Sequence, residues 1–182
     1  MADSKDVLSG LIWVYTLYAL AIISVVAWFS YKITAKGEGK TIRPVFFYTW
    51  VSFLVVVGVS LHIFTYNTIP WSPMDLNRSE IRADTTFNII AEKHKFILPA
   101  DRLVIRKNQK VLFNVSSNDL TYGFGLFRQD NSMVFQMQVV PGHKNDVLWQ
   151  FGETGVFDIR STEYSGPEGA FMREKGVVEV IE

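Results

Sequence analysis

Four side chains in one short stretch could act on a metal or a proton: Ser161, Glu163, Ser165 and Met172. They lie between two strand-like runs, Val156 to Arg160 and Gly176 to Ile181, and so read as a loop joining the last two strands of a β domain. The chemistry open to them is narrow. Copper selects thiolate and imidazole, whereas a serine hydroxyl is a hard oxygen that stays protonated near neutral pH. A single thioether, Met172, does not hold an ion by itself, and it packs well as an apolar side chain. Glu163 offers an oxygen of the kind magnesium takes. The 182 residues include no cysteine. That excludes disulfides, haem attachment through Cys-x-x-Cys-His, zinc ribbons and a blue-copper centre. His94 and His143 are single histidines in polar surroundings and read as surface residues.

The elements that must position this loop fall into two classes. Val7 to Tyr31 is a run of 25 residues without Asp, Glu, Lys or Arg, and about 20 suffice to cross a bilayer. Trp13, Tyr15 and Tyr18 mark one end and Trp28 and Tyr31 the other, as interfacial aromatics do. A cleaved signal peptide fits poorly, because Met1 to Asp6 carries two Asp against one Lys and the apolar run is too long. Pro44 to Met74 is again free of those four residue types, and its strongly apolar part is 45–66. Between them, 32–43 carries Lys32, Lys36, Lys40 and Arg43 against Glu38, which predicts a cytoplasmic loop. Glu38 reads as a solvated loop charge. His62, near the outer end of the second span, is expected to face protein rather than lipid. It is a candidate contact for a neighbouring subunit or a quinone.

The expected organisation is a helical hairpin over 1–66, with spans 7–31 and 45–66, a linker over 67–84, and a β domain over 85–182. Pro70 and Pro73 bar continuation of the second helix. From Thr85 onward the pattern turns to two-residue alternation. Val111, Phe113 and Val115 show it, as do Met133, Phe135, Met137 and Val139, and Val147, Trp149 and Phe151. Turns such as Pro141-Gly142 and Glu153-Thr154-Gly155 split these runs, which argues a β-sandwich. Met133 and Met137 are expected on one face with Phe135, a core face. Lys plus Arg equals Asp plus Glu at 18 each, so no nucleic-acid partner is implied. Residues 75–182 hold 13 basic and 15 acidic side chains, a balance of −2 that is no lure for a basic cytochrome.

The loop resembles the dinuclear-copper (CuA) loop of cytochrome oxidase subunit II, which reads Cys-x-Glu-x-Cys-Gly, then His and Met. This chain keeps Glu163, Tyr164, Gly166 and Met172. It has Ser161 and Ser165 where the bridging cysteines belong, and Gly169 where a histidine belongs. Upstream, Asn118 to Gly125 resembles the family's Asp-Val-x-His-x-Phe segment, with Tyr122 in place of the other histidine. Gln136 to Gly142 resembles the strand and turn that precede the copper loop. The resemblance covers nearly the full chain. It implies a membrane-anchored all-β protein, a two-helix transmembrane hairpin followed by a cupredoxin-like Greek-key β-sandwich. Where the family carries a Trp-rich strand start that accepts electrons from cytochrome c, Ile90 to Phe96 has no Trp.

What the resemblance implies for function follows from the replaced ligands. Tyr122, Ser161, Glu163, Ser165, Gly169 and Met172 mark a vestigial CuA site at which no copper is expected. Glu163 keeps a weak claim to a magnesium ion shared with a partner. Subunit II-like chains of this kind belong to haem-copper quinol oxidases, so this chain is expected to be a non-catalytic subunit with no cofactor of its own. Haem and copper would sit in the large catalytic subunit, quinol from the membrane pool would be the donor, and cytochrome c would not bind. O2 is the favoured substrate of the complex. Tyr122-Gly123-Phe124-Gly125-Leu126-Phe127 also resembles the short subunit II of quinol-dependent nitric oxide reductases, which stands as an alternative. A stand-alone membrane-tethered cupredoxin-like binding module is a further one. The expected location is the inner (plasma) membrane, multi-pass in membrane lipid, with both termini and the β domain on the periplasmic or extracellular side.

Overall fold

A computed structural model describes residues 4–37 and 41–182. Glu38 and Lys40 of the basic loop lie outside the described residues. Both apolar stretches are helices, α1 (Ser4–Thr34) and α2 (Pro44–Thr68). Each is long and apolar enough to cross a membrane. Pro44 opens α2 at a position where its missing N–H costs nothing. Pro70, two residues beyond Thr68, helps end it. Thr16, Ser24 and Thr34 of α1, and Thr65, Asn67 and Thr68 of α2, donate to the carbonyl four residues back. Those polar side chains are thereby satisfied within their own helix.

The described chain divides into two compact units, Val7–Ile69 and Pro70–Glu182, the second including residues 4–6. The stretch read from sequence as a linker is therefore largely part of the β unit. It forms a short helix, α3 (Ser72–Leu76), with Met74 buried. Trp71 lies 5.8 Å from the ring of Trp149. Arg78 bonds Asp146 at 3.0 Å, and Asp84 bonds the backbone of Lys110 through both its amide and its carboxylate.

Nine strands follow: β1 (Thr85–Glu92), β2 (Lys95–Ile97), β3 (Leu103–Arg106), β4 (Lys110–Ser117), β5 (Tyr122–Arg128), β6 (Met133–Val139), β7 (Asn145–Gln150), β8 (Gly155–Arg160) and β9 (Arg173–Ile181). One sheet runs β2-β1-β4-β7 and the other β3-β9-β8-β5-β6. The β1–β4 and β3–β9 pairs are parallel and the remaining pairs antiparallel. The inward faces alternate as the sequence pattern requires. Val111, Phe113 and Val115 of β4 face Tyr122, Phe124 and Leu126 of β5, all buried. Phe113 sits at the centre, its ring 5.7 Å from Phe124 and 5.5 Å from Phe135. Burial of each such ring stabilises by roughly 1.5–3 kcal/mol.

Two irregularities shape the sheet that carries the loop. In β6, Met133 pairs with Phe127 while Phe135 pairs with Leu126, so Val134 is an extra residue. The bulge turns Met133 to the face opposite Phe135 and Met137. Met133 and Met137 therefore do not share a face, against the strict alternation read from sequence. The second irregularity falls at Asp158, between Phe157 and Ile159 of β8. Asp158 is buried, and its carboxylate accepts from Arg160, Arg173, Gln129 and the Gly176 amide. Gly176 adopts φ +64°, a left-handed conformation that favours glycine. Burial alone would raise the Asp158 pKa, but Arg173, the Gly176 amide, Arg160 and Gln129 outweigh it and hold the carboxyl well below the usual range.

Arg160 and Arg173 are paired at the two feet of the loop, so this one carboxylate fixes where the loop begins and ends. Asp158→Ala is expected to cost about 2–4 kcal/mol at pH 7, because two guanidinium groups lose their counter-charge. The folded-state pKa is depressed, so the stabilisation is present above the unfolded value of about 3.9 and is lost as pH falls below it. Melts followed by tryptophan fluorescence should show the gap between wild type and variant narrowing below about pH 4. A gap independent of pH would refute the assignment.

Candidate functional site

Three loops meet at one end of the sandwich. The first is the β1–β2 hairpin. Glu92 pairs with Lys95, so Lys93 and His94 alone make the turn, with φ of 50° and 59°. Both residues are left-handed, the geometry that suits the twist of a two-residue hairpin and that His adopts more readily than Lys. Consecutive left-handed residues aim successive amides the same way. Here the Lys93 amide donates to the Asp119 carboxylate at 2.9 Å and the His94 amide to the Tyr122 hydroxyl at 3.2 Å.

The second loop, between β4 and β5, supplies those acceptors. Tyr122 is fully buried, and its hydroxyl donates to Asp119 at 3.0 Å. The Leu120 amide also donates to Asp119. Burial would raise the Asp119 pKa, but the Lys93 and Leu120 amides and the Tyr122 hydroxyl outweigh it and hold the carboxyl below its ordinary value. Burial pushes the Tyr122 hydroxyl up, the His94 amide opposes this, and Asp119 adds to it, so the phenol stays neutral and donates.

The third loop runs from Ser161 to Met172, between β8 and β9. Its first half crosses the outer face of β5. The Gly123 amide donates to Ser161 Oγ at 3.3 Å, and that hydroxyl donates to the Glu163 carbonyl. The Ser161 amide bonds the Met172 carbonyl at 2.9 Å, which closes the loop at its base. The crossing needs glycine at 123. A Cβ there would stand 2.5 Å from the Thr162 nitrogen and 2.6 Å from the Glu163 nitrogen, both backbone atoms. The second half is a short 3-10 turn, Pro167–Phe171. Met172 is buried in the core cluster.

His94 joins the first loop to the third. Its Nε2 is 2.8 Å from the Ser165 carbonyl, so this nitrogen carries the proton and donates. Its Nδ1 lies 3.4 Å from Glu168, a contact that becomes an ion pair when the ring is protonated. The ring also stands edge-on to Tyr122, with centroids 5.7 Å apart. His94, expected at the surface from its sequence surroundings, has a side chain only 21% exposed. Neither periodicity nor spacing signals this, because the contact depends on a left-handed tip that no Asn-Gly pair announces. His143 is exposed, as read.

The six positions singled out from sequence lie on this loop and the strand beside it, but their polar atoms do not form a ligand set. Ser165 Oγ is buried, has no hydrogen-bond partner among the described residues, and points at Gly169, where a Cβ would meet it at 2.3 Å. A histidine at 169 is therefore blocked unless Ser165 turns away. Ser161 Oγ, the Tyr122 hydroxyl and the Met172 side chain are taken up in hydrogen bonds or the core. Glu163 is exposed on the loop. No group of three His, Cys, Asp or Glu side chains converges among the described residues. The donor set does not fit a dinuclear copper centre, which needs bridging thiolates.

No protein-family model matches the chain, and no curated protein does. Solved structures do. A chain from the cryo-EM structure of a heme-copper terminal oxidase dimer is 15% identical, with a TM-score of 0.50, over 73% of this chain and 97% of that one. The β unit is a cupredoxin-like sandwich that follows two apolar helices in the chain. The periplasmic domain of subunit II of cytochrome oxidase (CoxB) of Bradyrhizobium japonicum is 19% identical, with a TM-score of 0.45, over 56% of this chain and 87% of that one. Auracyanin B gives 13% and 0.45 over 56% and 92%. The likeness at these identities is one of fold.

Two substitutions probe the site. Tyr122→Phe removes the acceptor of the His94 amide and one donor to Asp119, and is expected to cost about 1–3 kcal/mol. Thermal unfolding of the two proteins side by side gives the difference, and equal melting would show that the hydroxyl contributes nothing. Gly123→Ala is expected to displace the loop backbone and cost about 1–3 kcal/mol. Limited proteolysis should then cut within 161–166 faster than in wild type, and an unchanged rate would mean that the loop does not rest on β5.

Proposed function

We propose that this chain is a non-catalytic subunit II of a membrane haem-copper oxidoreductase of the respiratory chain, with a metal-free remnant of the CuA site, and that the complex takes electrons from quinol and reduces O2. The observation that carries the reading is the replacement of ligands at the meeting point of the three loops. The phenol of Tyr122 is fixed between Asp119 and His94, and serines stand at 161 and 165. An electron arriving there meets no group that can hold it. A donor that reaches the large subunit directly, such as a quinol in the membrane, removes the need for a relay.

The match to a chain of a heme-copper terminal oxidase spans more of this chain than the β unit alone contains, which supports the reading. So do two helices of spanning length. In this account the hairpin lies in the plasma membrane, the β domain stands on the periplasmic or extracellular side, and lipid and the large subunit surround the helices. The loop end is the docking face. Tyr164 and Phe171 are 86% and 85% exposed, far more than any other large apolar side chain of the β unit. Exposed aromatics ringed by polar groups are the usual anchors of a protein interface. Glu163, beside Tyr164, would reach the same contact.

The test is turnover by the purified complex. The account predicts rapid O2 consumption with quinol, little with reduced cytochrome c, and elemental copper equal to that of the large subunit alone. Cytochrome c oxidation at a rate comparable to quinol would refute it. Consumption of NO in place of O2 would assign the complex to the nitric oxide reductases.

A further inference from the structure

The two sheets part along one side of the β unit. β6 ends one sheet and β7 ends the other, so no backbone ladder joins them there. A cavity of about 230 Å³ lies between these edges, with Trp71 and Asp75 of the α3 segment in its wall. Pockets that take a whole drug-sized ligand run to roughly 300–1,000 Å³, so this one suits a compact group.

Its wall is largely aromatic. The Trp149 ring lies 5.8 Å from Trp71 and 5.3 Å from Phe135, centroid to centroid, and all three residues line the cavity. The ring planes are tilted by 48° and 44°, so they form a curved wall rather than a flat stack. Trp149 and Phe135 are buried and Trp71 is half-buried. Asp75 and Gln136 supply the polar groups of the lining.

That combination selects among ligands. Aromatic faces attract a cation through the ring quadrupole, Trp most strongly. A primary ammonium is strongly hydrated and asks for several acceptors, which this lining does not offer. A neutral apolar group gains nothing from the Asp75 carboxylate. A quaternary ammonium carries charge without an N–H, and its methyl groups pack on indole. Arg78 stands 3.5 Å from the Asp75 carboxylate and is 40% exposed, so a guanidinium is at hand for a phosphate next to the ammonium.

We infer that this cavity binds a phosphocholine group, its trimethylammonium against Trp71 and Trp149 near Asp75 and its phosphate toward Arg78. Trp71 follows Thr68, the last residue of α2, by three positions. A membrane lipid is therefore one source of the group, and free phosphocholine is the other. The site is independent of the subunit reading, because every residue of its lining belongs to this chain.

The full chain in lipid discs of phosphatidylethanolamine and phosphatidylglycerol, which contain no choline, provides the test. Phosphocholine is titrated in, and saturation-transfer NMR of its N-methyl protons reports contact with the protein. A saturable signal is expected, and none from phosphoethanolamine at the same concentrations. Asp75→Asn, at an exposed position, should keep the melting temperature and weaken binding about 3- to 10-fold. Trp71→Leu should weaken it about 10-fold or more. No saturable signal from phosphocholine in the wild-type chain overturns the inference, and so does an equal response to phosphoethanolamine. Wild-type binding by both variants overturns it as well. In discs that also contain phosphatidylcholine, loss of the phosphocholine signal supports the site and names the lipid headgroup as its occupant. An unchanged signal there supports the site and names the free compound.

Discussion

The loop end is organised by one hydroxyl. Tyr122 is enclosed on every side, donates to Asp119 and accepts from the His94 amide. That places a neutral phenol between an ionised carboxylate and a left-handed hairpin tip. Asp119 gathers the Lys93 and Leu120 amides, and His94 passes the connection on to the Ser165 carbonyl. Three segments distant in sequence are thereby tied through hydrogen bonds, each worth about 0.5–1.5 kcal/mol net and somewhat more where a carboxylate is the acceptor. A metal cross-linking the same segments would contribute binding energy to the fold. The hydrogen bonds described here tie the same three segments through the protein's own groups.

Charge is arranged to support that knot from below. Asp158 holds the paired arginines at the feet of the loop, and Arg160 lies 4.7 Å over the Phe127 ring. The loop is thus held at its base by a buried ion cluster, along its first half by the glycine track of β5, and at its tip by His94. Tyr164 and Phe171 stand outside the hydrogen-bonded network and are exposed.

Much of this was legible in the residues. The charge-free runs announced both helices, because burying a charge in a span is costly. The alternation of Val111, Phe113 and Val115 announced β4. The loop boundaries followed from strand runs on either side of Ser161 to Met172, although β9 begins three residues earlier than Gly176, since its bulge interrupts the alternation. Less was legible where pairing deviates. The extra residue at Val134 reverses Met133, and no periodicity forewarns of a bulge. Trp71 and Arg78 read as linker residues because their partners, Trp149 and Asp146, lie far away in sequence. His94 was missed for the same reason, its role arising from a turn type that its sequence does not advertise.

Hydrogen exchange read by mass spectrometry over 91–96, 117–123 and 161–172 bears most directly on the closed, metal-free loop end. The account predicts that all three segments are protected in metal-free protein and that added copper(II) changes none of them. Rapid exchange in 161–172 that slows only when copper is supplied would contradict it.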